Sequence, residues 1–463
     1  MPWTPLRYRL RADCPASELP NRLLVLGDFS LGGDASPLAE REPIRVEPAT
    51  FDDVLAWHSV RLKLDLPGDD GPRRLKLRIN RLADLDPPAL LEAHPALRAP
   101  ERLAAVLRHP RFRACEATWR SLRALVDHAA PETGNEIRLL SCTPGELAAA
   151  LRDTPPQETR LAALLAQHLD GLPHGTPAAA ILADWTFGPD DVALLEALAP
   201  IAADACAPFI AGASPAFFGL EDFAGLAEHP NLSTRRHAAW QRLRDSDAAN
   251  FIGLALPRFR LRPDYRVDAA GRAASEGQGM WGNAAFAVGM RLCDAFAERR
   301  WSAALTGGAL AGLPVPPTEA TVTEAREWEL CHEGFIPLVH RAGHPPGFDS
   351  ANTCRRAPCV GLQGSEEGVS RRLEGRLPWL LRATRLAHHL MRRAAAPEPL
   401  DDPGAWLGAI GAVDGAPDGD APFTAATVRL DPAGRAHLAL TPREPYQGAP
   451  CTLRVSPLLP VGS

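Results

Sequence analysis

The sequence predicts an α/β fold: a mixed, largely parallel central sheet flanked by helices, with arm strands at the N- and C-termini. Three observations predict it. Continuous apolar runs such as "NRLLVLGDF" (21–29) and "PAAAILADWTF" (177–187) have the length and composition of strands buried on both faces. These runs alternate with stretches of helical periodicity, the β-α-β-α order that builds a parallel sheet. The best period-two alternation sits at the extreme ends, at 6–10, 427–440 and 451–455.

Taken in order, "LRYRL" (6–10) alternates Leu6, Tyr8 and Leu10 with two arginines, as a half-buried strand does. The run at 21–29 is the first buried strand. "EPATFDDVLAWHS" (47–59) sets Thr50 as an N-cap before Phe51, Val54, Leu55 and His58 on one helical face. "VRLKLDLP" and "RRLKLRI" around "GDDGP" read as a hairpin. A proline-broken helical stretch at 83–100 is a plausible domain boundary. Beyond it, 110–129 is a helix with Phe112, Cys115, Trp119, Leu122 and Val126 on one face, and 135–142 is a strand. A helix at "PGELAAALRD" and another around 158–170 lead to the strand at 177–187. A further helix around 190–206 precedes the strand "PFIAGA" (208–213). Amphipathic helices are expected at 281–300 and 369–394, the second kinked at Pro378. The segment 395–422 is rich in Pro, Gly and Asp and reads as a flexible loop. "TVRL-DPAG-RAHLAL" is a hairpin and "CTLRV" (451–455) a last strand, so the units fall at 1–100, 101–394, 395–422 and 423–463.

With 463 residues the chain has room for two or three packed domains. A net charge of −6 with no dense Lys/Arg cluster argues against nucleic acid as a partner. No apolar run reaches the length of a membrane span, and the N-terminus lacks the apolar core of a signal peptide, so no membrane insertion and a cytoplasmic protein are expected. Nine cysteines spread along a long chain fit reduced thiols better than a disulfide framework.

Candidate chemistry is sparse. Ser214 in "GASPA" lacks the second glycine of a nucleophile elbow, and Pro215 removes the N–H that an oxyanion hole needs; a strand end followed by a Ser-Pro turn explains it. Cys354 and Cys359 with His332, His340 and His344 have looser spacing than a zinc knuckle. "GDFSLGGD" (27–34) has neither phosphate-binding pattern and reads as a turn. His388 and His389 are adjacent on a helix and cannot face one ligand; solvation and packing account for them. No nucleophile, base and orienter share a legible spacing, so no enzyme, no cofactor and no metal are expected.

The phrases that remain resemble, in succession, the two subunits of the contractile sheath of the bacterial type VI secretion system. "LPNRLLVLGDFS" (19–30), "FDDVLAWHSVRLKLDLP" (51–67) and "RLADLDPPALLEAHPALR" (81–98) are similar to the small subunit, with Leu85 where a Phe is usual. From about residue 105 the chain resembles the large subunit, in "CEATWRSLRALV" (115–126), "ILADWTFG" (181–188), "APIAADACAPFIAGASPAFFGL" (199–220), "MWGNAAFAVGMRLCDAFAERRW" (280–301) and "LPWLLRATRLAHHL" (377–390). Relative to that family, the small part lacks its long C-terminal helical region and the large part lacks the N-terminal extension that offers a helix to an AAA+ unfoldase.

The resemblance implies a structural protomer with strand-exchange arms that assembles helically with copies of itself around an inner tube protein. It also implies contact with baseplate components, and leaves open whether a separate small sheath subunit is still required. On that basis Leu6, Tyr8 and Leu10 are expected to face a neighbour's core, with Val428, Leu430, Leu453 and Val455 in the receiving sheet; pairing within one protomer is the other option. The helices at 281–300 and 369–394 are candidate surfaces for the tube. A non-contractile adaptor or cap is the second reading, and a cytosolic hydrolase using Ser214 or Cys206 a remote third.

Overall fold

The computed structural model describes residues 19–32, 36–66, 73–167, 175–267, 274–275, 279–299, 304–356, 365–394, 402, 404, 423–443 and 450–459. The arm strand expected at 6–10 therefore lies outside the described residues, as does all of the 395–422 loop except Asp402 and Gly404.

The chain begins with β1 (Asn21–Gly27), β2 (Ile44–Val46), α1 (Phe51–Trp57) and the hairpin β3 (Val60–Leu66) and β4 (Arg73–Ile79). Short helices α2 (Pro87–Ala93) and α3 (Pro100–Arg108), each with proline in its first turn, lead into the long α4 (Pro110–Ala129). The body continues through β5 (Asn135–Ser141), α5 (Pro144–Asp153), α6 (Arg160–Ala166), β6 (Ala180–Phe187), α7 (Val192–Asp204), β7 (Phe209–Ala213), α8 (Ala238–Asp245) and β8 (Ile252–Leu256). Small antiparallel pairs follow, β9 (Phe259–Arg262) with β12 (Met280–Gly282) and β10 (Arg266–Val267) with β11 (Ala274–Ser275). Next come α9 (Ala284–Arg299), α10 (Glu324–His332), β13 (Phe335–Pro337), α11 (Glu366–Glu374) and α12 (Leu377–Ala394). A separate three-stranded sheet closes the chain: β14 (Phe423–Leu430), β15 (Ala436–Pro442) and β16 (Leu453–Val455).

Seven strands form the central sheet in the order β13-β8-β7-β6-β1-β5-β2, parallel except for β2 against β5. This is the mixed, largely parallel sheet that the apolar runs predict. β1, from the first hundred residues, lies between β5 and β6 and is buried along its whole length. Its polar first residues find partners there: Asn21 Nδ2 donates to Asn135 Oδ1 at 2.7 Å, and Arg22 gives two hydrogen bonds to Glu136 Oε2 at 2.9 and 2.8 Å. A buried charge is tolerated only when paired in this way.

Local sequence explains most boundaries. Thr143 and Glu146 form a capping box at the start of α5, and Arg41 Nη2 donates to the same glutamate at 2.6 Å, holding its carboxyl below the usual range. Thr50 precedes α1 as expected but its hydroxyl bonds no N–H of that helix; it accepts from Glu47 N–H instead. The expected kink at Pro378 is corrected. The chain breaks at Gly375–Arg376 into α11 and α12, and Pro378 occupies the first turn of α12, where its missing N–H costs nothing.

The helices proposed as tube surfaces are corrected too. α9 lies against α4 and across β6, β7 and β8, with Ala284–Met290 buried, and Gly289 allows a close approach: a β-carbon there would come 2.4 Å from Leu182 Cδ1. α12 is also buried nearly throughout, including His388 and His389, so packing and not solvation accounts for that pair. Its basic stripe points inward: Arg385 donates to the backbone carbonyls of Pro20, at 3.2 Å, and Leu19, at the entry to β1.

Candidate functional site

The chemical candidates resolve into structural roles. Ser214 follows β7 and its Oγ accepts from Ala216 N–H at 3.2 Å, capping the short turn of helix at Pro215–Phe218. Cys206 sits past the end of α7 with φ +50°, while its N–H and that of Ala207 bond back to Ala203 and Ala202. That is a Schellman ending with cysteine in the left-handed position. Its thiol is fully buried and burial pushes it well above the ordinary range, which suppresses the thiolate a nucleophile needs.

Cys354 is buried, whereas His332 and His344 are exposed, and Cys359 lies outside the described residues. Among the described residues no group of three or more His, Cys, Asp or Glu is gathered for a metal. At the carboxyl ends of β6, β7 and β8, where open α/β sheets commonly bind ligands, a pocket of about 160 Å³ is lined by Arg258 and Glu319. These two charges pair with each other, Arg258 Nε to Glu319 Oε2 at 2.7 Å. Asn283 closes the floor: it donates to Trp185 O at 2.8 Å, accepts from Ala285 N–H, and lies on Gly212 so closely that a β-carbon there would meet it at 2.8 Å.

The C-terminal sheet is different, because its two edges are treated differently. In the strand order β14-β15-β16 the outer edges belong to β14 and β16. Along β16 the outward N–H of Arg454 donates to Glu374 Oε1 at 3.2 Å, and just before it Thr452 N–H donates to Ser370 Oγ at 2.9 Å. Both acceptors belong to α11, which seals that edge. Burial raises the Glu374 carboxyl, with Arg355 and Arg454 opposing the shift.

On β14, the register fixes which groups point outward. Asp431 N–H donates to Arg435 O at 3.0 Å, and Leu430, Val428 and Ala426 stand opposite Ala436, Leu438 and Leu440. Alternation along an antiparallel ladder then aims Thr427 and Arg429 at β15 and turns the N–H and C=O groups of Ala426, Val428 and Leu430 away from it. Among the described residues no hydrogen bond reaches those outward groups.

The side chains tell the same story. Leu438, Leu440, Leu453 and Val455 are each at most 2% exposed, covered by the body with α11 and α12 against β16. The same face runs out at β14, where Val428 is half-buried and Leu430 is 64% exposed. Of the seven residues expected at an assembly interface, Leu453 and Val455 are thus core residues of this chain's own sheet. Val428 and Leu430 sit on its open strand, and Leu6, Tyr8 and Leu10 lie outside the described residues. The small sheet is fixed to the body by Arg435 and Asp204, 2.6 Å apart, and by Leu458 N–H to Asp204 O. Sequence reading missed Ser370 and Glu374, because a helix side chain that caps a strand eighty residues away leaves no local pattern.

Comparison with known proteins identifies the family of the chain's first 355 residues. A family model described as "EvpB/VC_A0108, tail sheath N-terminal domain" matches residues 98–355. A second, described as "Type VI secretion system, VipA, VC_A0107 or Hcp2", matches residues 8–108. The type VI secretion system sheath protein TssC1 of Pseudomonas aeruginosa is 28% identical over 322 residues, a match covering 62% of this chain and 64% of that protein. The match spans less than two thirds of that relative's own length.

Proposed function

The chain belongs to the EvpB/VC_A0108 tail-sheath family of the type VI secretion system, with a small-subunit part and a large-subunit part in one chain, and on that premise we propose that it is the repeating protomer of a helical sheath built by strand exchange. The observation that carries the reading is the edge of β14, whose outward N–H and C=O groups take no hydrogen bond among the described residues, opposite the sealed edge of β16. An open edge offers unpaired N–H and C=O groups to another chain, and an added strand supplies main-chain hydrogen bonds while alternate side chains fill apolar pockets. The half-covered face at Val428 and Leu430 is where such side chains would lie, and Leu6, Tyr8 and Leu10 of a neighbour have the matching period of two.

A contact of this kind joins different surfaces of two copies, so it propagates as a filament instead of closing a dimer. The arms keep protomers connected while the rigid α/β bodies turn against one another, and no bond hydrolysis is asked of the sheath itself. An inner tube and a baseplate are the partners this role requires.

Negative-stain electron microscopy of the purified chain tests the proposal. Long hollow tubules are the expected result, and their formation from this chain alone would show that no separate small subunit is required. Discrete particles would instead favour an adaptor or cap. Deleting residues 1–12 is expected to abolish tubules; unchanged tubules after the deletion would remove the strand-exchange mechanism.

A further inference from the structure

The hairpin of β3 and β4 buries one face against α3 and α4 and charges the other. Val60, Leu62, Leu64 and Leu66 enter the core with Leu77 and Ile79, so alternation turns Arg61, Lys63 and Asp65 outward beside Arg74, Lys76 and Arg78. The register sets Arg61 opposite Arg78 and Lys63 opposite Lys76. Like charges directly opposite weaken a strand pair. The third pair shows the alternative, since Asp65 stands opposite Arg74, which donates to it at 2.9 Å. Among the described residues Arg61, Lys63, Lys76 and Arg78 form no ion pair, and the exposed Arg111 adds a fifth cation, donating to Lys63 O at 3.5 Å.

The opposite imbalance stands at the carboxyl ends of β6 and β7. These strands run parallel, so the loops that follow them leave from one end of the sheet, the first with Asp190 and Asp191 and the second with Glu221 and Asp222, all four exposed. Glu221 and Asp222 line the pocket of about 160 Å³, and Arg258 in that lining is committed to Glu319. Among the described residues none of the four acids forms an ion pair. We propose that the basic face of the hairpin docks on this acidic mouth in a second copy of the chain. The contact lies between bodies and is made of side chains, so it is separate from strand exchange at β14.

The chain as a whole carries −6, so another copy offers the acidic surface that the hairpin lacks. Two different surfaces meet, and such a contact repeats from copy to copy instead of closing a pair. Hairpin against hairpin repels, which excludes the wrong docking and fixes the register. Exposed charges are screened beyond about 8 Å at physiological ionic strength, so salt weakens the contact.

Sedimentation velocity of the full chain at about 0.05 M and 0.5 M NaCl tests it. Wild type is compared with Lys63→Glu/Lys76→Glu, with Asp190→Lys/Glu221→Lys and with the fourfold variant. Asp190 and Glu221 are chosen because Asp191 and Asp222 accept backbone N–H bonds in their own turns. Each double variant is expected to associate at least about tenfold more weakly than wild type at low salt, and wild type to weaken likewise at high salt. The fourfold variant, with both signs exchanged, is expected to recover the loss, as is an equimolar mixture of the two double variants; recovery also shows that the variants are folded. Double variants that associate as wild type does, failure of both recoveries, or a wild type that stays monomeric at low salt overturns the contact. Leu430→Asp is expected to keep the salt-sensitive association, so loss of tubules in that variant alone speaks to strand exchange and not to the hairpin. A hairpin variant that associates normally but loses wild-type binding to phosphatidylserine vesicles or to single-stranded DNA overturns the second copy as the occupant.

Discussion

Glu116 and Arg262 meet through two hydrogen bonds of 2.6 Å each, Nε to Oε1 and Nη2 to Oε2, with the carboxylate completely buried. Arg120 shares the same glutamate at 2.8 Å and reaches Asp86 at 2.6 Å, while the Tyr265 hydroxyl donates to Asp86 at 2.6 Å. The network joins α4 and β9 to the loop before α2, and so ties the small-subunit part to the large one. Glu116→Ala removes the carboxylate that the two arginines share and leaves Arg120 with only the Asp86 carboxylate. Urea denaturation is expected to show a loss of about 3–5 kcal/mol, and a change under 1 kcal/mol would mean the network is not structural.

Asp184, on β6, carries a carboxyl that burial raises to about 7, opposed only by the Thr118 hydroxyl that donates to it at 2.5 Å. Its folded pKa lies above the unfolded value of 3.8, so the folded state holds the extra proton between about pH 4 and 7. Stability from this group is therefore lost as pH rises through that window. Asp184→Asn is expected to stabilise the protein at pH 8, by on the order of 4 kcal/mol, and to change little at pH 4. Equal effects at the two pH values would rule out the titration.

Leu430 and Leu453 lie on one small sheet with opposite exposure, 64% and 0%. Leu430→Asp is expected to leave the melting temperature nearly unchanged, within about 0.5 kcal/mol, while abolishing tubules. Leu453→Ala is expected to cost about 2–5 kcal/mol. If Leu430→Asp assembled normally, the apolar surface of β14 would have no part in assembly.

Gly212 and Asn283 couple the end of β7 to the start of α9. Gly212→Ala drives a methyl into the amide that holds Trp185 O and Ala285 N–H, at a cost of about 1–3 kcal/mol. The double variant with Asn283→Ala should recover part of that loss, because the colliding group is gone; simple additivity in a denaturation cycle would show that the two residues do not interact.

All seven described cysteines are buried and free. Burial pushes the thiols of Cys115, Cys142 and Cys354 up to about 12 and that of Cys331 to about 11. Native protein at pH 8 is expected to leave all seven unlabelled by iodoacetamide, by peptide mapping, under conditions that label the unfolded chain completely. Rapid labelling of Cys206 in the native state would reopen its candidacy as a nucleophile.

Strands and helices were legible wherever a local pattern carried them. The unbroken apolar run of β1 reads as a strand with two covered faces, and α4 shows its buried stripe from Phe112 to Val126. Amphipathicity misled at α9 and α12. Arg291, Arg385 and Arg393 mimic a solvated face in sequence, yet all three are buried, Arg291 beside Asp294 and Arg385 on the carbonyls before β1. A charge pattern shows that a residue needs a polar partner and not whether water or protein supplies it. Pro378 misled for a related reason, since a proline that kinks a helix interior is harmless in a first turn.

By itself the sequence determined the type of the elements with the strongest periodicity, β1, α4, β6 and β7 among them, and the resemblance to a sheath, because these rest on periodicity and short phrases. Tertiary structure alone decided that β1 lies between β5 and β6 and that Ser370 and Glu374 close one edge of the C-terminal sheet. Strand order and hydrogen-bond register are set by pairings between residues far apart in the chain. Which edge stays open is the remainder after those pairings are made, and no local stretch encodes it.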